Sequence, residues 1–182
     1  MFPPSISLAL VVFACCFTST TVAQDWPQWM GPNRDGHFSA SDLVESIPED
    51  GLPVKWRTPI NAGYSGPAVQ GKRVFISDYR RTLGEFVETP DTPDKSSSLQ
   101  GFERILCLDA TTGEKLWEHE YERNLDIAYP VGSRATPTVK DDLVVMLGAQ
   151  GDLTVLDAIH GTVKWKLEIP KKTTLLAERH QK

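Results

Sequence analysis

Residues 107–117 read C-L-D-A-T-T-G-E-K-L-W, and residues 155–165 read V-L-D-A-I-H-G-T-V-K-W. Asp109 and Asp157, Gly113 and Gly161, and Trp117 and Trp165 are each 48 residues apart. Three side chains of unlike chemistry held in one register define an internal repeat, which constrains a fold more than composition does. Each copy is then a supersecondary unit that cannot bury its apolar face alone and must stack on a neighbour.

The flanking sequence says what kind of unit is repeated. Residues 54–58 (V-K-W-R-T) alternate apolar with polar, as a half-buried strand does. Short apolar runs follow at 67–70, 73–78, 104–109 and 116–121, and the cycle restarts at 137–140, 143–147, 153–157 and 163–169. Gly, Asp and Thr punctuate these runs, which predicts antiparallel hairpins rather than strand–helix–strand units. Trp56 stands where Trp117 and Trp165 stand, at the last strand of a copy, but 61 residues before Trp117. Two insertions reconcile the spacings, 22 residues within the stretch containing 80–103 and 9 around 123–133. Taking 22 from 61 and 9 from 48 leaves 39 in both cases, close to the four-stranded unit of a propeller blade. The expected fold is therefore all-β: four-stranded antiparallel blades, two of them plus one strand of a third, an incomplete β-propeller.

Within the repeat the chemistry favours structure. The Asp109 and Asp157 carboxylates can accept bonds from amides of the turns that follow them. Gly113 and Gly161 suit a positive φ. Trp117 and Trp165 carry broad apolar faces for covering a blade junction, with an indole N–H for a backbone carbonyl. A side chain required in every copy closes the copy, whereas chemistry needs a site that is not repeated.

The 107–117 motif resembles the A-x-D-x-x-T-G-x-x-x-W signature of the pyrroloquinoline quinone (quinoprotein) repeat. In the second copy His160 replaces the signature Thr, while Asp157, Gly161 and Trp165 remain. The opening W-P-Q-W-M-G-P-N-R-D-G also looks like the mature N-terminus of secreted bacterial quinoprotein-like propellers. This repeat is shared by quinone-dependent alcohol dehydrogenases and by non-catalytic propellers, such as the lipoprotein that assists outer-membrane β-barrel assembly. In the dehydrogenases the resemblance implies a quinone over a central channel, with calcium held by carboxylate and amide oxygens and, in several, a vicinal disulfide over the quinone. The one Cys-Cys pair here, Cys15-Cys16, lies in the leader, and no calcium ligand or catalytic base can be assigned. By alignment of the strands, Tyr64 and Arg134 precede the channel-lining strand of their copies and are the candidate cofactor-binding residues at the channel mouth.

Residues 1–23 read as a signal peptide, with an apolar run at 6–17 too short to span a bilayer as a helix and Thr21-Val22-Ala23 ahead of the cut. Lipoprotein processing at Cys15 is a second reading; either exports the chain to the periplasm or beyond, with no transmembrane span in the mature part. Residues 24–53 form an irregular segment whose two indoles dock on the body, with a helical turn at 41–50. The propeller repeats occupy 54–170 with the insertion at 80–103, whose polar tip reads as disordered, and 171–182 is a tail without repeat pattern. Cys107 matches Val155 and reads as a buried strand residue. A net charge of −5 without a basic, aromatic-laced stripe excludes ordinary nucleic-acid binding. There is no phosphate loop, H-E-x-x-H or C-x-x-C, and no set of residues at metal-ligand spacing. The expectation is an exported, non-catalytic binding or assembly scaffold, an N-terminal piece of a propeller completed by further blades or meeting other envelope proteins. The alternative is part of a quinone-dependent alcohol dehydrogenase of the polyvinyl-alcohol-dehydrogenase kind.

Overall fold

Nine strands account for the regular structure among residues 25–39, 44–84, 97–127 and 132–168, which a computed structural model describes. The first blade joins β1 (Ala68–Gln70), β2 (Arg73–Leu83), β3 (Ser97–Asp109) and β4 (Lys115–Glu122), each antiparallel to the next. The short β5 (Leu125–Ile127) pairs with the start of β3. The second blade repeats the order with β6 (Thr138–Lys140), β7 (Leu143–Leu147), β8 (Asp152–Asp157) and β9 (Val163–Glu168).

The two ladders share a register. Phe75 opposes Cys107, which opposes Trp117; in the second blade Val145 opposes Val155, which opposes Trp165. Both carry an irregularity at the same place, between Cys107 and Leu108 and between Val155 and Leu156. A bulge there bends the outer strand and turns its tryptophan toward the neighbouring blade.

β3 is buried on both faces over residues 105–108, where its sequence is continuously apolar. Ile105 and Cys107 join Ala68 and Phe75 in one cluster with Val139, Val144, Met146, Leu156 and Ala158 of the second blade, roofed by Trp117 and Tyr121. On the opposite face, Ile76, Leu106 and Leu108 pack with Val74 and Trp56. Taking the apolar surface of the first cluster out of water, worth about 25 cal/mol per Å², is the main force joining the blades.

The structure corrects several expectations. Residues 54–58 form no strand: their backbone has no ladder partner, and the Trp56 and Thr58 side chains tie them to the 109–113 turn instead. Of the helical turn at 41–50, residues 44–50 form only bends and turns, and 41–43 lie outside the described residues. Of the two N-terminal indoles, Trp26 docks but Trp29 is 69% exposed. The insertion is largely strand at its two roots, since β2 runs on to Leu83 and β3 starts at Ser97. A third cluster of Tyr79, Leu99 and Leu125 accounts for this extension, with the Tyr79 hydroxyl donating to the carbonyls of Leu99 and Arg123. Residues 1–24, 85–96 and 169–182, and with them the expected signal peptide, most of the insertion's polar tip and the tail, lie outside the described residues.

Candidate functional site

Each repeated turn is closed from within. The Asp109 carboxylate accepts from the amides of Thr111 (2.7 Å) and Thr112 (3.0 Å), and that of Asp157 from Ile159 (3.0 Å) and His160 (2.9 Å). These amides hold both carboxyls below the usual carboxylate range, Thr112 leading at Asp109 and His160 at Asp157. His160 also sets its Nδ1 3.1 Å from Asp157 Oδ1, in the place where Thr112 offers a hydroxyl to Asp109. Gly113 and Gly161 close the turns by donating to the carbonyls of Asp109 and Asp157, at φ of 75° and 71°.

A tryptophan from the preceding unit lies on each turn. Trp56 Nε1 donates to the Ala110 carbonyl at 3.1 Å, and Trp117 Nε1 to the Ala158 carbonyl at 3.2 Å. A Cβ built on Gly113 would stand 2.5 Å from the Trp56 indole, and one on Gly161 would stand 2.6 Å from that of Trp117. Glycine is thus required twice over, by the left-handed backbone and by the ring pressed against it. Trp165, third in the series, remains half exposed.

A second set of polar side chains is buried and not repeated. Arg104 grips Asp78 through two bonds, Nε to Oδ1 at 2.7 Å and Nη2 to Oδ2 at 2.6 Å, while the Asn61 amide donates to the same carboxylate at 2.6 Å. Glu103, fully buried, accepts from the Tyr121 hydroxyl at 2.7 Å, the Ala149 amide at 2.7 Å and Ser133 Oγ at 3.3 Å. Burial, and then the Glu103 charge, push the Tyr121 phenol far above its ordinary value. Arg123 forks onto the buried Asp152 of the second blade. Buried charges persist only when paired or fully hydrogen-bonded, and these carboxylates meet that condition with donors from both blades. Sequence reasoning missed this network. Position 151, the counterpart of Glu103, is Gly, so no repeat announced it.

At the candidate channel mouth, the Tyr64 amide donates to the Ser133 carbonyl at 2.9 Å, which brings the backbones of Tyr64 and Arg134 close together. Both side chains are exposed. The neighbouring free edges of β1 and β6 are taken up by the N-terminal segment. Trp26 exchanges two backbone bonds with Val69 (2.9 and 2.8 Å), and the Val139 amide donates to the Pro27 carbonyl at 2.8 Å. Two clefts flank this strap. One, of about 350 Å³, lies among Gln28, Trp29, Arg34, Thr138, Val145 and Leu153; the other, of about 400 Å³, among Trp26, Trp29, Met30, Pro67 and Val69. Among the described residues no three of His, Cys, Asp or Glu converge as metal ligands, and the buried carboxylates are engaged within the protein. These residues do not fit a calcium–quinone centre.

The chain is similar in sequence to a quinone-repeat family described as "Outer membrane protein assembly factor BamB", whose profile matches residues 42–180. None of the curated proteins searched matches it. Among solved structures it matches a europium-containing methanol dehydrogenase at 15% identity and a TM-score of 0.28, over 58% of this chain and 24% of that one. The match therefore spans about a quarter of that enzyme. Since the family profile covers well over half of the sequence, in the same stretch where two blades are docked through Trp117, the chain belongs to the outer membrane protein assembly factor BamB family of quinoprotein-like repeats.

Proposed function

We propose that this chain is part of an exported, non-catalytic scaffold that presents propeller loops for binding or assembly in the cell envelope. The carrying observation is where the polar groups go. Asp109 and Asp157 close turns, Trp56 and Trp117 lock units together, and Asp78, Glu103 and Asp152 join strands and blades. The N-terminal strap holds the edges of β1 and β6 beside the place proposed for Tyr64 and Arg134. The matched family's description as an assembly factor at the outer membrane supports the same reading. On it, residues 1–23 direct export to the periplasm or cell surface, and the partners are further blades of a longer propeller or other envelope proteins.

A two-arm measurement on the purified chain tests this. Immobilised protein is expected to bind an unfolded outer-membrane β-barrel polypeptide saturably. The same preparation, titrated with pyrroloquinoline quinone and calcium, is expected to give no dye-linked oxidation of an alcohol. Saturable turnover would overturn the scaffold reading in favour of a quinone-dependent dehydrogenase.

A further inference from the structure

Residues 25–28 lie against two sheets at once. Trp26 bonds Val69 on the edge of β1 through both its N–H and its C=O, and the Pro27 carbonyl accepts from Val139 on the edge of β6. Successive residues of an extended chain turn their backbone polar groups to opposite sides, so one dipeptide serves both edges. Pro27 brings no N–H that this seam would have to satisfy. Asp25 adds a bond from the Gly71 amide to its carboxylate at 2.7 Å. The Trp26 ring borders the apolar cleft with Pro67 and Val69. Gly31 lies on the ring so closely that an added Cβ would stand 2.7 Å from it, and the Phe38 ring is 6.1 Å away. Blades added around a propeller pack face to face and leave the edges nearest the axis unpaired, so these two edges do not depend on how many blades follow.

We propose that the inner edges of β1 and β6 form one strand-acceptor site for an extended aromatic–proline segment, and that residues 25–28 of a second copy take the place of the chain's own. The present occupant has the character of a separable ligand. Bonds given by Gln28, Gly31, Arg34, Gly36 and His37 end within residues 28–37. Met30 (φ 61°) and Arg34 (φ 59°) join Gly31 and Gly36 in the left-handed region. Non-glycine backbone of that kind persists only where bonds overdetermine it, so the loop carries its own shape.

What ties this loop to the body is slight. Residues 44–50 make no ladder, and Val44, Ile47 and Leu52 are exposed. The chain's own segment is favoured chiefly because it is tethered, which supplies an effective concentration on the order of millimolar. A second copy brings the same segment, and reciprocal exchange keeps every bond while closing a two-fold dimer.

A synthetic peptide of residues 25–38, dye-labelled at its C-terminus, tests the site by fluorescence anisotropy on the full chain. Trp26→Ala, whose own segment lacks the anchor, is expected to bind it saturably and at least about tenfold more tightly than wild type, where the resident segment competes. Amide hydrogen exchange should then slow at Val69 and Val139, and a peptide carrying Trp26→Ala should not bind. If the Trp26→Ala chain loses its far-UV sheet signal, Asp25→Ala, which removes only the bond to Gly71, should bind the peptide more tightly than wild type. Light scattering tests the second copy. Wild type refolded from urea at about millimolar concentration should give a dimer, and at micromolar concentration a monomer. Trp26→Ala, which offers a site but no anchor, should stay monomeric at both. A folded Trp26→Ala chain that ignores the peptide would overturn the proposal. So would binding that leaves Val69 and Val139 exchanging as fast as before, or a dimer that Trp26→Ala also forms. Peptide binding without a wild-type dimer would overturn the second copy as occupant and leave the site to an aromatic–proline segment of another protein.

Discussion

Gly113, Gly161 and Gly71 all adopt a left-handed backbone, yet they sit in different surroundings. At Gly71 (φ 56°) nothing lies within 4 Å of an added Cβ, whereas at Gly161 the Trp117 ring stands 2.6 Å away. Gly71→Ala should therefore cost about 1 kcal/mol of stability, the left-handed backbone alone. Gly161→Ala should cost about 2–4 kcal/mol, since the indole must also move; urea unfolding of both variants measures the difference. Glu103→Gln sets an amide N–H₂ against donors from Tyr121, Ala149 and Ser133, and should lose about 1–3 kcal/mol in the same assay. Cys107 lies in the inter-blade core, and burial pushes its thiol up to about 11. A thiol reagent should leave the native protein unlabelled and react once it unfolds; rapid native labelling would contradict this placement. Residues such as Asp109 and Trp117 show themselves in the sequence by recurring. Glu103, Asp78 and Arg104 do not recur, and an isolated carboxylate in a strand carries no local pattern that marks it as buried.

Strand order and the turns between strands were legible because period-2 alternation and Gly or Asp punctuation are local signals. The 143–147 strand falls where its pattern put it. Alternation misled at 54–58, where the same pattern serves a segment docked by side chains instead of a ladder. It was also silent on β5 and on the length of β2 and β3, which depend on the distant contact of Tyr79, Leu99 and Leu125. β4 and β9 bring a titration to the junction. Burial, and then the Lys166 charge, lower the His119 pKa. The unfolded chain titrates near 6.5, so it binds more protons than the native state as pH falls through that range, and stability falls with it. Asp109 and Asp157 act lower down: their depressed carboxyls contribute fully above about pH 4 and lose that contribution as pH falls through the folded values. Thermal midpoints should thus drop in two stages on acidification, and His119→Gln should remove the first. A variant that keeps the drop between pH 7 and 5.5 would place its source elsewhere.

At the scale of the whole molecule, one rule repeats. The outer strand, or the segment standing in its place, sends a tryptophan onto the turn of the next unit, and a glycine in that turn receives it. The sequence showed the partners 48 residues apart in like positions, but not that each tryptophan meets the glycine of the following copy. That pairing joins residues 44 positions apart (Trp117 and Gly161) through a core that only the folded blades create. If the repeat serves blade docking, the energies of Trp117 and Gly161 must be coupled. A double-mutant cycle by urea unfolding measures this directly. The cost of Gly161→Ala should fall from about 2–4 kcal/mol in the wild type to about 1 kcal/mol in a Trp117→Ala background, where only the left-handed backbone still resists the methyl group. Equal costs in the two backgrounds would contradict the docking account.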